Sequence, residues 1–472
     1  MPLQAAAALA TLIGFAPHGN VVELKLDRGS AQLVWISPST FRFARGAPAP
    51  AAALQPVEIQ IEDTPAALLM RSKFLEVSIG KRGVVLRVRT RQGAELMADV
   101  ESDGTWGRQA PPGSRFYGLG PRTDSGFDLS RTRHTTDEPF LYCTAGYGEW
   151  HPAAGRYRLD FRADGRYGIE GPASDYYFYY GPTLKQVLEE HNRLRGAAVL
   201  WSPSHERFGS WESLRASVTR IVQGAISGMI APTFDLKPYD GAPEALLGRA
   251  RQLGSLVAEV TAGRDGVSAF RKQLESFFAV YAIEAHEKGY PIWHPLPFQF
   301  PEDPECARHA DEFLLGDEML VAPIVMPGNT RRVYLPQGVW TNLETDEVFT
   351  GWQTISVDTA SLPVFARNGA IVPLDSPGGM ALHYFPKLGA EFFLFENDGA
   401  DWTQIHAAPA GDEMRLEIES KVAREYQWVV HHVDRPAEVA GHTWNYDARR
   451  RQLQVRVRVG KREDSVINLV WP

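Results

Sequence analysis

Apolar and polar side chains alternate in short runs along the first part of this chain, at 57–61, 74–79, 84–88, 157–161 and 176–180. A period of two sends successive side chains to opposite faces, so such runs bury one face only as strands with a wet side. Runs rich in Val, Leu and Ile at 21–26 and 32–36 are separated by the turn cluster Asp27-Arg28-Gly29-Ser30, and an Ala/Pro loop follows at 46–56. Short strands at this spacing imply a β-sandwich. The period then changes. Leu184, Val187, Leu188, His191 and Leu194 form a helical stripe, with Thr183 and Gln186 as a capping box and Gly196 as the stop. A helix is expected at 214–226, a buried strand at 229–234 ending at Asp235, and a helix from Pro243 to about 260. Ser268 is expected to cap a longer helix carrying Phe270, Leu274, Phe277, Phe278 and Tyr281 on one face, with Gly289 beyond its end. From 320 onward the text reads as strands again, in two sets. The expected fold class is multidomain, α/β plus β.

Composition narrows the function. Against 57 Asp+Glu there are 49 Lys+Arg, a net charge of −8, which argues against a nucleic-acid partner. Cys143 and Cys306 lie far apart with no CxxC, so neither a disulfide framework nor a zinc knuckle is expected. The longest apolar stretch, 5–16, is too short to span a membrane, and no Lys or Arg precedes it, the first being Lys25. A cytoplasmic protein without a membrane partner is expected, with secretion through that apolar stretch as the alternative. Signatures for phosphate-binding loops, dinucleotide folds, serine hydrolases and zincins are missing from the sequence. His431 and His432 are neighbours in an expected strand, so they should face opposite ways, and no metal is expected. Tyr117, Tyr142, Tyr147 and Trp150 near turns could stack on sugar rings or fill a core.

Several blocks carry a resemblance. Phe116-Tyr117-Gly118-Leu119-Gly120, Thr136-Asp137-Glu138-Pro139-Phe140 and Gly146-Tyr147-Gly148 resemble the N-terminal sandwich of glycoside hydrolase family 31, the α-glucosidase/α-xylosidase family. Asp175-Tyr176-Tyr177-Phe178 resembles the lead into that family's barrel, and Gly289-Tyr290-Pro291-Ile292 through Asp303 its late part. Phe313-Leu314-Leu315-Gly316-Asp317, Pro363-Val364-Phe365-Ala366-Arg367-Asn368-Gly369 and Glu396-Asn397-Asp398-Gly399 follow in family order. The resemblance implies an N-terminal, galactose mutarotase-like β-sandwich at 1–181, a (β/α) barrel at 182–315, and two C-terminal β-sandwich domains at 316–390 and 391–472. It implies a carbohydrate partner, no cofactor, and hydrolysis of terminal α-glycosidic bonds.

A complete (β/α)₈ barrel takes about 250 residues, and Gly181 to Leu315 is 135 residues. At roughly 30 residues per unit that makes about four or five units, a truncated barrel remnant. The family's nucleophile lies in a W-x-D-M-N-E-like segment, and none occurs here. The resemblance leaves Asp235, at a strand end, as candidate nucleophile or stabiliser. It leaves Glu206, in His205-Glu206-Arg207 before Ser210-Trp211-Glu212, as candidate acid/base. As plain structure, Asp235 would cap a helix or join an ion pair, and Glu206 would be a solvated loop residue. Trp211, Arg122 and Asp124 are the substrate-binding candidates. Arg249 and Gln252 are expected to pack, and His294 stands where the family usually has Arg. The alternative to an α-glycosidase is a non-catalytic relative that binds sugar or a partner.

Overall fold

In the computed structural model, which describes residues 10–46, 55–102, 105–162, 164–196, 200–202, 208–261, 269–396, 399–439 and 441–471, the alternating runs at 74–79, 157–161 and 176–180 form strands, whereas those at 57–61 and 84–88 become strands only from Gln60 and Leu86. Leu75–Gly80 buries Leu75, Val77 and Ile79 and turns the residues between them outward. The chain forms two compact units, Met1–Gly196 with Ile226–Gly228, and Ala197–Ala225 with Met229–Pro472.

The first unit holds an eight-stranded and a nine-stranded antiparallel sheet. Val22, Leu33, Trp35 and Phe41 of one share a core with Leu68, Val77, Val88 and Tyr167 of the other, so the two sheets make a sandwich. Phe178 stacks between Phe41 and Tyr147 at 5.0 and 5.2 Å. Tyr117, Tyr142 and Tyr147 are buried, which makes these aromatics core residues. Helix α1 (Leu184–Arg195) has the expected capping box at Thr183 and Gln186 and ends at Gly196.

A polar network crosses this core. Arg108, from strand Thr105–Gln109 of one sheet, is paired with Glu149, from strand Tyr147–Trp150 of the other. The fully buried Glu149 also accepts from the Tyr167 hydroxyl at 3.1 Å and meets His151 Nε2 at 2.6 Å. Burial, reinforced by the Arg108 charge, lowers the His151 pKa to about 3, so the ring is neutral and its Nε2–H donates.

The second unit begins with a three-stranded parallel sheet, Leu200–Trp201, Ala231–Asp235 and Glu259–Thr261. Helix α2 (Trp211–Ala225) and helix α3 (Glu244–Gly254) connect its strands in order. The helix expected to reach 260 ends at Gly254, because 259–261 pairs with 233–235 instead. The expected long helix is split into α4 (Ala269–Gln273) and α5 (Glu275–Lys288), and its expected cap Ser268 lies outside the described residues. The split has a tertiary cause: Asp375 accepts from the Ser276 amide and hydroxyl, both at 2.7 Å, and so caps α5 from a distant strand. Gly289 closes α5 at φ 72°.

Next comes a six-stranded antiparallel sheet, from Trp293–Pro295 and Phe313–Leu315 through Met319–Val321 to Val364–Arg367, Val339–Asn342 and Val348–Thr350. It shares a core with the pair Thr330–Leu335 and Gln353–Asp358, through Leu320, Trp340, Phe365, Val333 and Leu335. Two five-stranded sheets complete the unit. The first joins Ile371–Ser376 and Gly379–Tyr384 to Arg424–Val430. Hydrogen bonding runs across two of the expected boundaries. One sheet spans residue 315, and another joins strands on either side of residue 390. Among the described residues the centre holds three parallel strands, not the four or five units expected. No described helix is long and apolar enough to cross a membrane.

The His431-His432 expectation also fails. Strand Arg424–Val430 ends one residue earlier, and His432 takes φ 55°, which breaks the alternation and brings the two rings within 5.9 Å.

The Arg108–Glu149 pair makes the sandwich vulnerable at one point. Glu149→Ala, which takes the nearer carboxylate from a buried guanidinium and leaves it Asp99 at 3.7 Å, should cost up to about 3–5 kcal/mol in urea unfolding, and the apolar double variant Arg108→Met/Glu149→Leu should recover part of it.

Candidate functional site

Asp235 is the last residue of strand Ala231–Asp235, the C-terminal end where parallel α/β sheets place their sites. It is half-buried, and its Oδ1 accepts the amide of Lys237, the residue that opens the short 3-10 turn Lys237–Tyr239, at 3.0 Å. That turn is fastened to the start of α2. The Tyr239 ring lies against Gly209, where a Cβ would collide with it, and the Tyr239 and Ser213 hydroxyls are 3.3 Å apart. Ser210 and Ser213 cap α2 reciprocally: the Ser213 amide donates to Ser210 Oγ at 3.0 Å and the Ser210 amide to Ser213 Oγ at 2.8 Å. Trp211, half-buried, is the first helical residue. The structure thus brings Asp235 and Trp211 onto neighbouring, mutually braced segments. Glu206 lies outside the described residues.

Arg122 and Asp124 belong to the first unit and pair with each other. Arg122 also donates to the carbonyls of Gly118 at 3.1 Å and Phe127 at 3.4 Å, so its guanidinium braces its own loop. Burial lowers its pKa, partly offset by Asp124. Arg249 packs as expected, with its guanidinium donating to the carbonyls of Thr359, Ala360 and Ser361 and to Asn329 Oδ1.

One polar cluster was signalled only by the odd residue at 294. His294, 1% exposed, has Nδ1 3.0 Å from Asp317 Oδ1. Tyr281 donates its hydroxyl proton to Glu318 at 2.6 Å and accepts the Asp317 amide at 3.0 Å. Burial pushes the Glu318 carboxyl up to about 8; the Tyr281 hydrogen bond opposes this and the neighbouring Asp317 charge adds to it. Gly316, at φ 61°, is required here, because a side chain would run into the Tyr281 ring. The Leu315-Gly316-Asp317 block is thus a turn built around Tyr281.

Known proteins share these blocks. Residues 289–372 match the glycosyl hydrolase family 31 C-terminal domain. Alpha-glucosidase 2 of Bacillus thermoamyloliquefaciens is 29% identical over 256 residues, 47% of this chain and 32% of that enzyme. Neutral alpha-glucosidase AB of Homo sapiens is 39% identical over 146 residues, 27% of this chain and 16% of that protein. The GH31 dextranase of Flavobacterium johnsoniae, complexed with glucose, is similar in fold at TM-score 0.82 and 14% identity, over 98% of this chain and 100% of the other. Residues 289–372 thus carry a glycoside hydrolase family 31 domain. The chain covers a third or less of the length of the two curated relatives named.

The matched C-terminal domain begins at Gly289 and takes in the whole six-stranded sheet. The segment 289–303, expected in the barrel, is therefore part of that domain. His294, in the Arg position, keeps a donor directed at Asp317.

The raised Glu318 carboxyl gives a pH test. Its folded pKa lies above the unfolded value, so it binds a proton more tightly when folded. Its contribution to stability is complete below about pH 4.5 and is lost as pH rises toward about 8. Urea midpoints of the wild type should fall across that window relative to Glu318→Gln, whose amide does not titrate.

Proposed function

We propose that the chain acts on terminal α-linked sugars, hydrolysing the glycosidic bond with retention of configuration. The observation that supports this is Asp235, a backbone-held carboxylate at the C-terminal end of a parallel strand in a chain carrying a family 31 domain. Solved family relatives complexed with glucose, isomaltotriose and a pentasaccharide support a saccharide ligand. We read the three parallel strands with α2 and α3 as the shortened remainder of a (β/α)₈ barrel.

Retention requires two carboxyl groups about 5–5.5 Å apart. Asp235 takes the nucleophile role and Glu206, five residues before Trp211, the acid/base role. Asp235 attacks the anomeric carbon, the bond to the leaving oxygen breaks, and Glu206 gives that oxygen its proton. Glu206 then takes a proton from water, whose oxygen releases the sugar and frees Asp235.

One observation favours a second reading, a carbohydrate-binding relative without turnover: the Asp235 carboxylate already accepts the Lys237 amide, and no W-x-D-M-N-E-like segment is present. Release of aryl α-glycoside leaving groups separates the two. Asp235→Ala should abolish release. Glu206→Gln should lower it by about 10²–10⁴-fold with a poor leaving group and far less with a good one. Release untouched by both substitutions would remove the site assignment, and saturable saccharide binding with no release would favour the second reading.

A further inference from the structure

We propose that Asp346, His431 and His432 form a binding site for a divalent transition metal of the zinc class, opening into a cavity of about 650 Å³. The proposal does not depend on the glycosidase reading.

The three residues come from two loops that converge through unusual backbone. Asp346 has φ 60° in the turn after strand Val339–Asn342, where its amide donates to the Asn342 carbonyl at 2.9 Å. His432 has φ 55° just past strand Arg424–Val430. One donor atom from each residue lies within 4.8 Å of the other two. His431 Nδ1 and Asp346 Oδ1 are 3.2 Å apart. Two ligands bound at 2.0–2.1 Å to a tetrahedral centre stand roughly 3.3 Å apart, so this pair already has that spacing.

The central ligand is fixed in advance. His431 is buried, stacks on Phe385 at 4.2 Å and 19°, and has Nε2 3.0 Å from His383 Nδ1. In the tautomer whose Nε2–H donates to His383, the Nδ1 lone pair is directed toward Asp346. This is how metal-bound histidines are usually held, by the nitrogen that does not bind. A row of amides agrees: as oriented, Gln427 donates to Gln454, Gln454 to Gln452, and Gln452 to His431 Nδ1 at 3.3 Å. An Nδ1 that accepts from Gln452 carries no proton for Asp346. A carboxylate oxygen and a bare ring nitrogen at 3.2 Å repel unless a cation lies between them.

The surroundings suit an exchangeable site. Three protein donors leave a tetrahedral metal one open position. The adjoining cavity is lined by Glu344, Gln273, Gln427 and Gln454 with the apolar Phe270 and Leu362. Arg450, 62% exposed, comes only to 3.8 Å of Asp346 Oδ2, on the oxygen away from His431. The other clustered trio, His309, Asp311 and Glu312, already holds a cation: Arg331 donates to Asp311 at 2.8 Å and lies 3.4 Å from Glu312.

The test is metal binding by the untagged full chain after chelation and dialysis, using zinc(II) and cobalt(II) salts in calorimetry and elemental analysis. One equivalent should bind, and cobalt(II) should show the intense visible bands of a tetrahedral centre. Asp346→Asn and His432→Ala should weaken binding by at least about a hundredfold, and His383→Phe, which removes the ring nitrogen facing His431 Nε2, by about 10–100-fold. His286→Ala, on a side chain 75% exposed elsewhere, should change nothing. Absence of stoichiometric binding by the wild type would overturn the proposal whatever the variants do. So would binding unchanged in both Asp346→Asn and His432→Ala, with circular dichroism confirming that each is folded.

Discussion

Parallel strands must have both faces covered, because the crossovers that make them parallel put helices on the sheet. A barrel meets that requirement by closing on itself, and the second unit of this chain meets it with three strands and packing. Phe234, in the middle strand, is fully buried beside Gly254 of α3 and stacks near Tyr239 at 5.7 Å. Trp201, on the first strand, lies against Gly224 of α2. Helix α2 also packs on strand Trp293–Pro295, and the Trp293 indole donates to the Leu256 carbonyl at 2.6 Å. The antiparallel sheet therefore starts directly against the helices of the parallel one.

The same economy governs the buried charges. Glu149 is held by Arg108, Tyr167 and His151, and Glu312 by Arg331 and two hydrogen bonds from the Tyr334 amide. Burial raises the Glu312 carboxyl to about 8, with Arg331 pulling the other way. These carboxylates are fixed inside cores by neighbours that complete them, so they answer to stability. Asp235 differs in place more than in kind. It stands at a strand end, half-buried, and its backbone bond uses one of two oxygens.

What the sequence made legible was local. The Thr183–Gln186 box, the Gly196 stop, the period-two strands and Asp235 at its strand end all follow from residues within a few positions of one another. What it hid was set from far away. The break at Leu274 comes from Asp375, and the clamp on 359–361 from Arg249, each about a hundred positions off. Strand partners were hidden for the same reason: 293–295 pairs with 313–315, and 379–384 with 424–430. Hydrophobic pattern identifies a strand without naming its partner. The two histidines show the limit most sharply, since one left-handed residue at a strand end undid the face assignment that alternation implied.

A non-glycine residue at φ 55° costs about 1–3 kcal/mol and is retained only where its surroundings fix it. His432 is fixed on one side by Thr341, 3.4 Å from its Nε2, and His431 on the other by Phe385, His383 and Gln452. The polar row from Gln427 to Asp346 therefore lies on a rigid sheet face next to a cavity, in a module whose strands need no polar residue there to fold. Buried polar side chains arranged in line on such a face are expensive unless every member is completed. A ligand that completes the row, at its Asp346 end, removes that expense and gives the strained loop its reason.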